Sequence, residues 1–239
     1  MQPTTAKIRF DKSGYYFIAL MALVFAGFWK SYFSRFFNGT NDYNFYFHFH
    51  AAMMLLWVII LIAQPLLIRK KKLGVHRIIG RLTYFLMPVM LLSVLLILNS
   101  GLKQVPPEEV SFSQIIFPVR DFFLLAVAFS IGVRYRHNVQ IHARAMIITG
   151  IVFIEPALFR FLSRVVFKGM GSVSFFTGVA LILSLLISLI ILERKQKSAR
   201  WLFPSFLVID VIVYLILIFD IPLTFLDPAV RWFAKLPLT

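Results

Sequence analysis

Residues 45–81 read FYFHFHAAMMLLWVIILIAQPLLIRKKKLGVHRIIGR. The apolar run opens on His48 and His50, passes Gln64, and breaks into Arg69-Lys70-Lys71-Lys72 and a third histidine, His76. A helix rises about 1.5 Å per residue, so roughly 30 Å of hydrocarbon needs about 20 apolar residues. Phe45–Ile68 meets that length. Lipid offers the backbone no hydrogen bonds, so such a run has to be a helix, and no segment alternates as a barrel strand would.

Working outward, six more runs of this kind appear. The predicted spans are 15–33, 45–68, 82–102, 115–133, 145–162, 175–192 and 202–225. The expected fold is all-α: a polytopic integral membrane bundle of seven transmembrane helices, in one domain over residues 1–239. Of the 239 residues 60% are hydrophobic, and the mean hydropathy is +0.84, beyond a soluble domain's about 45–50% apolar content. There is no cysteine, which removes disulfides, thiolate metal sites and cysteine nucleophiles.

The net charge of +15 does not point to nucleic acid, because the basic residues crowd into short loops. The N-terminus and the second, fourth and sixth loops carry twice the Lys and Arg of the opposite set. That bias places the N-terminus in the cytoplasm and the C-terminus outside, in a multi-pass protein of the cytoplasmic (inner) membrane whose loops meet anionic lipid. The first apolar run, preceded by Lys7, Arg9 and Lys12, reads as an uncleaved span.

Ionisable groups inside spans are costly and mark function or helix pairing. Arg120 and Asp121 fall in the outer half of the fourth span, Glu155 past the middle of the fifth, and Arg160 near its outer end. Asp220 falls in the outer half of the seventh span and Asp210 in its inner half. With His48 and His50 at the outer start of the second span, seven polar groups share one depth: His48, His50, Arg120, Asp121, Glu155, Arg160 and Asp220. The bland reading is an ion pair that joins helices. The functional one is an outward-facing pocket in which His50 or His48, Asp121 and Glu155 hold a divalent metal, or in which carboxylates bind a coupling ion.

His50, Trp57 and Gln64 recur every seven residues and so form one face, drifting about 20° per step. His48 lies about 200° round the helix from His50, so one unbroken helix cannot offer both to one metal. In the fifth span, Pro156 follows Glu155 and is expected to kink the helix there. On the cytoplasmic side His76 and His142 stand near Arg77, Arg81 and Arg144. Two imidazoles on different segments at one depth are the minimum for axial ligation of haem b, with arginines on its propionates. Basic interfacial loops touching phospholipid are the competing reading.

Two motifs, His76-Arg77-Ile78-Ile79-Gly80-Arg81 and His142-Ala143-Arg144-Ala145-Met146, carry a resemblance. With His50 (or His48), Gln64, Arg69 and Arg160, they make residues 45–160 similar to a family of bacterial multi-span membrane proteins of no established activity. The resemblance implies a distant tie to b-type haem membrane proteins. It departs from the two-haem pattern, because the outer histidines share one helix. Three functions stay open: haem or metal binding for electron transfer or cofactor handling, ion-coupled transport through intramembrane carboxylates, and a metal-dependent membrane enzyme. The expected partners are membrane lipids and a small molecule or ion.

Overall fold

The computed structural model describes residues 10–194 and 199–239. Lys7, Arg9, Lys195 and Lys197, which contribute to the charge bias, lie outside the described residues. The described chain is all-α, with no strand. Six helices are long and apolar enough to cross a membrane: α1 (Ser13–Phe37), α2 (Phe45–Arg69), α3 (Leu73–Leu102), α4 (Ile116–Arg134), α5 (Val139–Val166) and α6 (Gly171–Glu193). A shorter apolar helix, α7 (Leu202–Ile218), and an amphipathic one, α8 (Asp227–Lys235), follow.

Local chemistry sets several boundaries. Asn44 and Asn138 cap α2 and α5 by accepting the backbone N–H of Phe47 (3.1 Å) and of Gln140 (3.1 Å). Lys71, at φ +58°, turns the chain between α2 and α3. α5 finishes in a π-helical turn at Leu162–Val166 and α1 carries one at Trp29–Phe33 before its last α-helical turn, Ser34–Phe37; Lys30 Nζ ties the two π-helical turns together on the Arg164 carbonyl (3.0 Å).

Two boundaries differ most from the sequence expectation. The third span begins at Leu73, so His76, Arg77, Gly80 and Arg81 stand on the first turns of a helix rather than in a loop. The seventh run does not continue to Phe225. Its helix stops at Ile218, and Asp220 sits exposed in the following turn at φ +46°. Pro222 explains the stop, because its ring disfavours helical geometry at Ile221. The 17 residues of α7 rise only about 25 Å.

In the bundle, α5 is central: α1, α4, α6 and α7 all pack on it, while α2 packs between α1 and α3. The core runs through Phe17, Trp57, Met90, Leu125, Ile148 and Phe203. Close approach is allowed by Gly27, where an added Cβ would lie 2.2 Å from the Ala157 carbonyl oxygen of α5. Large apolar side chains such as Ile59, Phe85, Val127 and Ile212 point outward. Polar groups such as Arg144, Asn99 and Thr149 are wholly buried, the inverse of a soluble bundle.

The C-terminal helix closes one end. Buried Asn99 donates through Nδ2 to the Phe233 (2.7 Å) and Leu236 (3.3 Å) carbonyls, and Asp227 accepts the N–H of Phe112 (2.8 Å). The end of α3, the start of α4 and α8 therefore meet at one end of the bundle. The start of α5 and the end of α6 meet at the other, where Arg144 reaches Glu193.

Candidate functional site: one guanidinium among three carboxylates

Arg120 sits five residues into α4, and its side chain is 5% exposed. Its Nη2 donates to Glu155 Oε2 of α5 at 2.5 Å and to Asp121 Oδ1 at 2.7 Å. Nε donates to the same Asp121 oxygen at 3.0 Å. Nη1 lies 3.5 Å from Asp210 Oδ1 of α7 and has no hydrogen-bond partner. Tyr214, one turn beyond Asp210, donates its hydroxyl to Glu155 Oε2 at 3.0 Å. The guanidinium also lies over the Phe117 ring, 4.9 Å from the centroid.

Three helices thus contribute to one buried cluster. The planar guanidinium can face several carboxylates at once, which an ammonium cannot match. Asp210 and Tyr214 share a face of α7 through i, i+4 spacing. Charge is unbalanced, with one cation facing three acids. A carboxylate buried without compensation costs several kcal/mol, so the two acids beyond the first are held at a cost in free energy.

Of the residues placed at this depth from sequence, Arg120, Asp121 and Glu155 come together. Asp220 does not join them, and Asp210 takes the place expected for it. With α7 ending at Ile218, Asp210 stands at the helix midpoint rather than in an inner half. The signal was present in the stripe Phe203, Phe206, Asp210 and Tyr214 ahead of Pro222, all four residues being buried. Arg160 instead donates to the Pro156 carbonyl (2.9 Å) and lies 4.6 Å from the Phe28 ring centroid.

The histidines divide. His48 is satisfied on both sides, Nε2–H donating to Asn41 Oδ1 (3.0 Å) and Nδ1 accepting from the Tyr32 hydroxyl (2.9 Å). His50 donates from Nδ1 to Ser93 Oγ (3.2 Å), because that hydroxyl spends its proton on the Met90 carbonyl. His142 donates from Nδ1 to the Gly132 carbonyl (2.8 Å), which leaves Nε2 a free lone pair. His76 Nδ1, Gln64 Oε1 and Trp57 Nε1 are buried atoms without a hydrogen-bond partner, and Gln64 Nε2 donates to the His76 carbonyl (3.3 Å). Among the described residues no group of three His, Asp or Glu side chains is arranged to hold a metal ion. The guanidinium itself fills the space between the carboxylates.

A second buried pair was not foreseen. Arg144 Nε donates to Glu193 Oε2 at 2.5 Å, and Nη1 donates to the backbone and side chain of Gln140 (2.8 and 2.9 Å). Arg144 is therefore committed to a protein carboxylate, and the propionate role expected of it does not fit. Arg77 turns back through Nε to the Leu73 carbonyl (3.3 Å).

Compared with protein-family models, curated proteins and solved structures, the chain matches none.

Proposed function

We infer that this is a proton-coupled membrane carrier whose ion site is the Arg120–Asp121–Glu155–Asp210–Tyr214 cluster. The observation that carries the reading is the surplus of acid: a structural ion pair needs one carboxylate, and Arg120 faces three. A carboxyl group beyond the one that Arg120 neutralises can take up and release a proton, and the cluster has two. The proton is favoured over a metal because the guanidinium occupies the centre of the cluster. The contributing helices α4, α5 and α7 pack as separate rods, so a change in protonation can alter how tightly they are held.

The seven-span reading, with α7 as the last crossing, and the cytoplasmic N-terminus belong to the same proposal. They are supported by the basic residues near Arg69–Arg81, Arg134–Arg144 and Arg194–Arg200.

The test is reconstitution in liposomes on a solid-supported membrane, with currents recorded on rapid jumps in proton or sodium concentration. A proton-jump current that is lost in Glu155→Gln and in Asp210→Asn is expected. Wild-type protein silent to proton jumps in both directions would overturn the proposal.

A second reading rests on His142. Its Nδ1–H···O=C bond to Gly132 orients a free Nε2 as metal-bound histidines are oriented, and His76 keeps a bare buried nitrogen on α3. An axial pair there would hold haem b in the manner the family resemblance implies, with Arg77 and Arg81 rather than Arg144 near its propionates. An absorbance spectrum of protein expressed with ample haem decides it. A Soret band lost in His142→Ala supports haem, and a colourless protein removes it.

A further inference from the structure

Among the described residues three arginines are not exposed: Arg120, Arg144 and Arg160. The Nε–H and Nη2–H of a guanidinium share one edge, spaced to match the two oxygens of a carboxylate or a phosphate. In Arg120 that edge meets Asp121, at 3.0 and 2.7 Å, and in Arg144 Nε meets Glu193 at 2.5 Å. In Arg160 it meets nothing among the described residues, because the side chain's hydrogen bond runs from Nη1 to the Pro156 carbonyl. Arg160 is half-buried, and its Nε and Nη2 are not sealed in the interior, so an anion can reach them.

Two further cations stand at this corner of the bundle. Arg164 follows one turn along α5, and Lys30 of α1 holds the Arg164 carbonyl through Nζ (3.0 Å). Phe28, two residues before Lys30, lies under the Arg160 guanidinium, 4.6 Å from ring centroid to carbon. Among the described residues none of the three cations is paired with a carboxylate, whereas Arg120 faces three and Arg144 one. The backbones of α1 and α5 both pass through π-helical turns here, a rare geometry found frequently at functional sites. Exposed Lys and Arg alone would be a solvated face. Here a half-buried guanidinium keeps its two-donor edge open beside two more positive charges, and the repulsion among them is relieved by a bound anion. This end of the bundle also carries the fewer basic residues, so the corner is not part of the basic loops that set orientation. Arg160 lies six residues, about 9 Å, before the end of α5 at Val166, where headgroups and water both reach.

We propose that Arg160, Arg164 and Lys30 bind one oxyanion, a carboxylate or a phosphate, between the ends of α1 and α5. Arg160 Nε and Nη2 donate to two of its oxygens, and Arg164 and Lys30 supply the remaining positive charge. The same chemistry is offered by a small soluble anion and by the headgroup of an anionic lipid. This goes beyond the carrier reading and does not depend on it.

The experiment uses full-length, delipidated protein in a maltoside detergent. The thermal unfolding midpoint is followed against inorganic phosphate, succinate and short-chain phosphatidylglycerol, with ionic strength held constant by chloride and short-chain phosphatidylcholine as the lipid control. The concentration dependence of the midpoint gives each Kd. Saturable stabilisation beyond that of chloride is expected from at least one of the three anions. Arg160→Met should weaken it about tenfold or more, as the loss of charge-assisted hydrogen bonds implies. Arg164→Met should weaken it several-fold, and because Arg164 is exposed its removal leaves the packing intact. Arg160→Lys keeps the charge without the paired donors and should stay several-fold weaker than wild type. Arg136→Met, at an exposed position on the opposite end, should leave binding unchanged. Stabilisation by phosphate or succinate makes the corner a site for a soluble anion, and stabilisation by phosphatidylglycerol alone makes it a headgroup site. No saturable stabilisation by any of the three would overturn the proposal, and so would equal weakening in Arg136→Met. Wild-type affinity in Arg160→Lys would overturn the two-oxygen contact. The readout needs no proton gradient, so silent proton jumps bear on the carrier reading alone.

Discussion

Arg120→Met keeps an unbranched side chain of similar reach and removes only the cation. The distances are 2.5 Å to Glu155, 2.7 Å to Asp121 and 3.5 Å to Asp210. At an effective dielectric of about 20, these correspond to gross attractions of about 7, 6 and 5 kcal/mol. Repulsion among the acids and the desolvation of four charged groups offset most of that sum. What remains is the cost of leaving buried acids without a counter-charge, about 3–5 kcal/mol by analogy with other broken buried pairs. The unfolding equilibrium should therefore shift by roughly a hundred- to a few thousand-fold. SDS titration in mixed micelles, or a steric-trap measurement in lipid, reads the shift. Arg160→Met is the matched control. It removes an arginine from α5 whose hydrogen bond goes to a backbone carbonyl, and it should cost about 1 kcal/mol. Equal losses in the two variants, or a loss below about 1 kcal/mol in Arg120→Met, would refute Arg120 as the electrostatic hub.

Other outcomes follow from the packing. Gly27→Ala places a Cβ 2.2 Å from the Ala157 carbonyl, so α1 has to move off α5; about 1–3 kcal/mol of stability should be lost in the same titration. Glu193→Gln should destabilise by leaving Arg144 buried without its counter-charge, while the double variant Arg144→Met, Glu193→Leu should recover most of the loss, read as a coupling energy in a double-mutant cycle. Asn99→Ala removes the Nδ2 group that donates to the Phe233 and Leu236 carbonyls, and the peptide bond after Lys235 should become several-fold more sensitive to trypsin in detergent, with the bundle otherwise intact.

Much of the architecture was legible because lipid makes it a local problem. A run of about 20 apolar residues has to satisfy its backbone within itself, so helix existence follows from composition without knowledge of any neighbour. Depth was legible for the same reason, at about 1.5 Å per residue, and it put Arg120, Asp121 and Glu155 at one level. Where a boundary was misplaced, depth failed with it. Extending the seventh run past Pro222 moved Asp210 away from the level of Arg120 and put Asp220 in its place.

Azimuth and helix order were not legible. Hydropathy is similar around much of each span, so it does not say which face meets which helix. That Arg120 takes three acids while Arg160 takes none among the described residues depends on α4 and α7 both lying on α5. Arg144 and Glu193, 49 positions apart, likewise meet only because α6 returns to the level at which α5 begins. Composition and spacing are enough to make this chain a set of apolar helices carrying charge at particular positions along them, because solvation acts on each segment alone. The tertiary structure decided which charges neutralise one another and which stay open at the surface, because those depend on packing between segments that the chain does not place side by side.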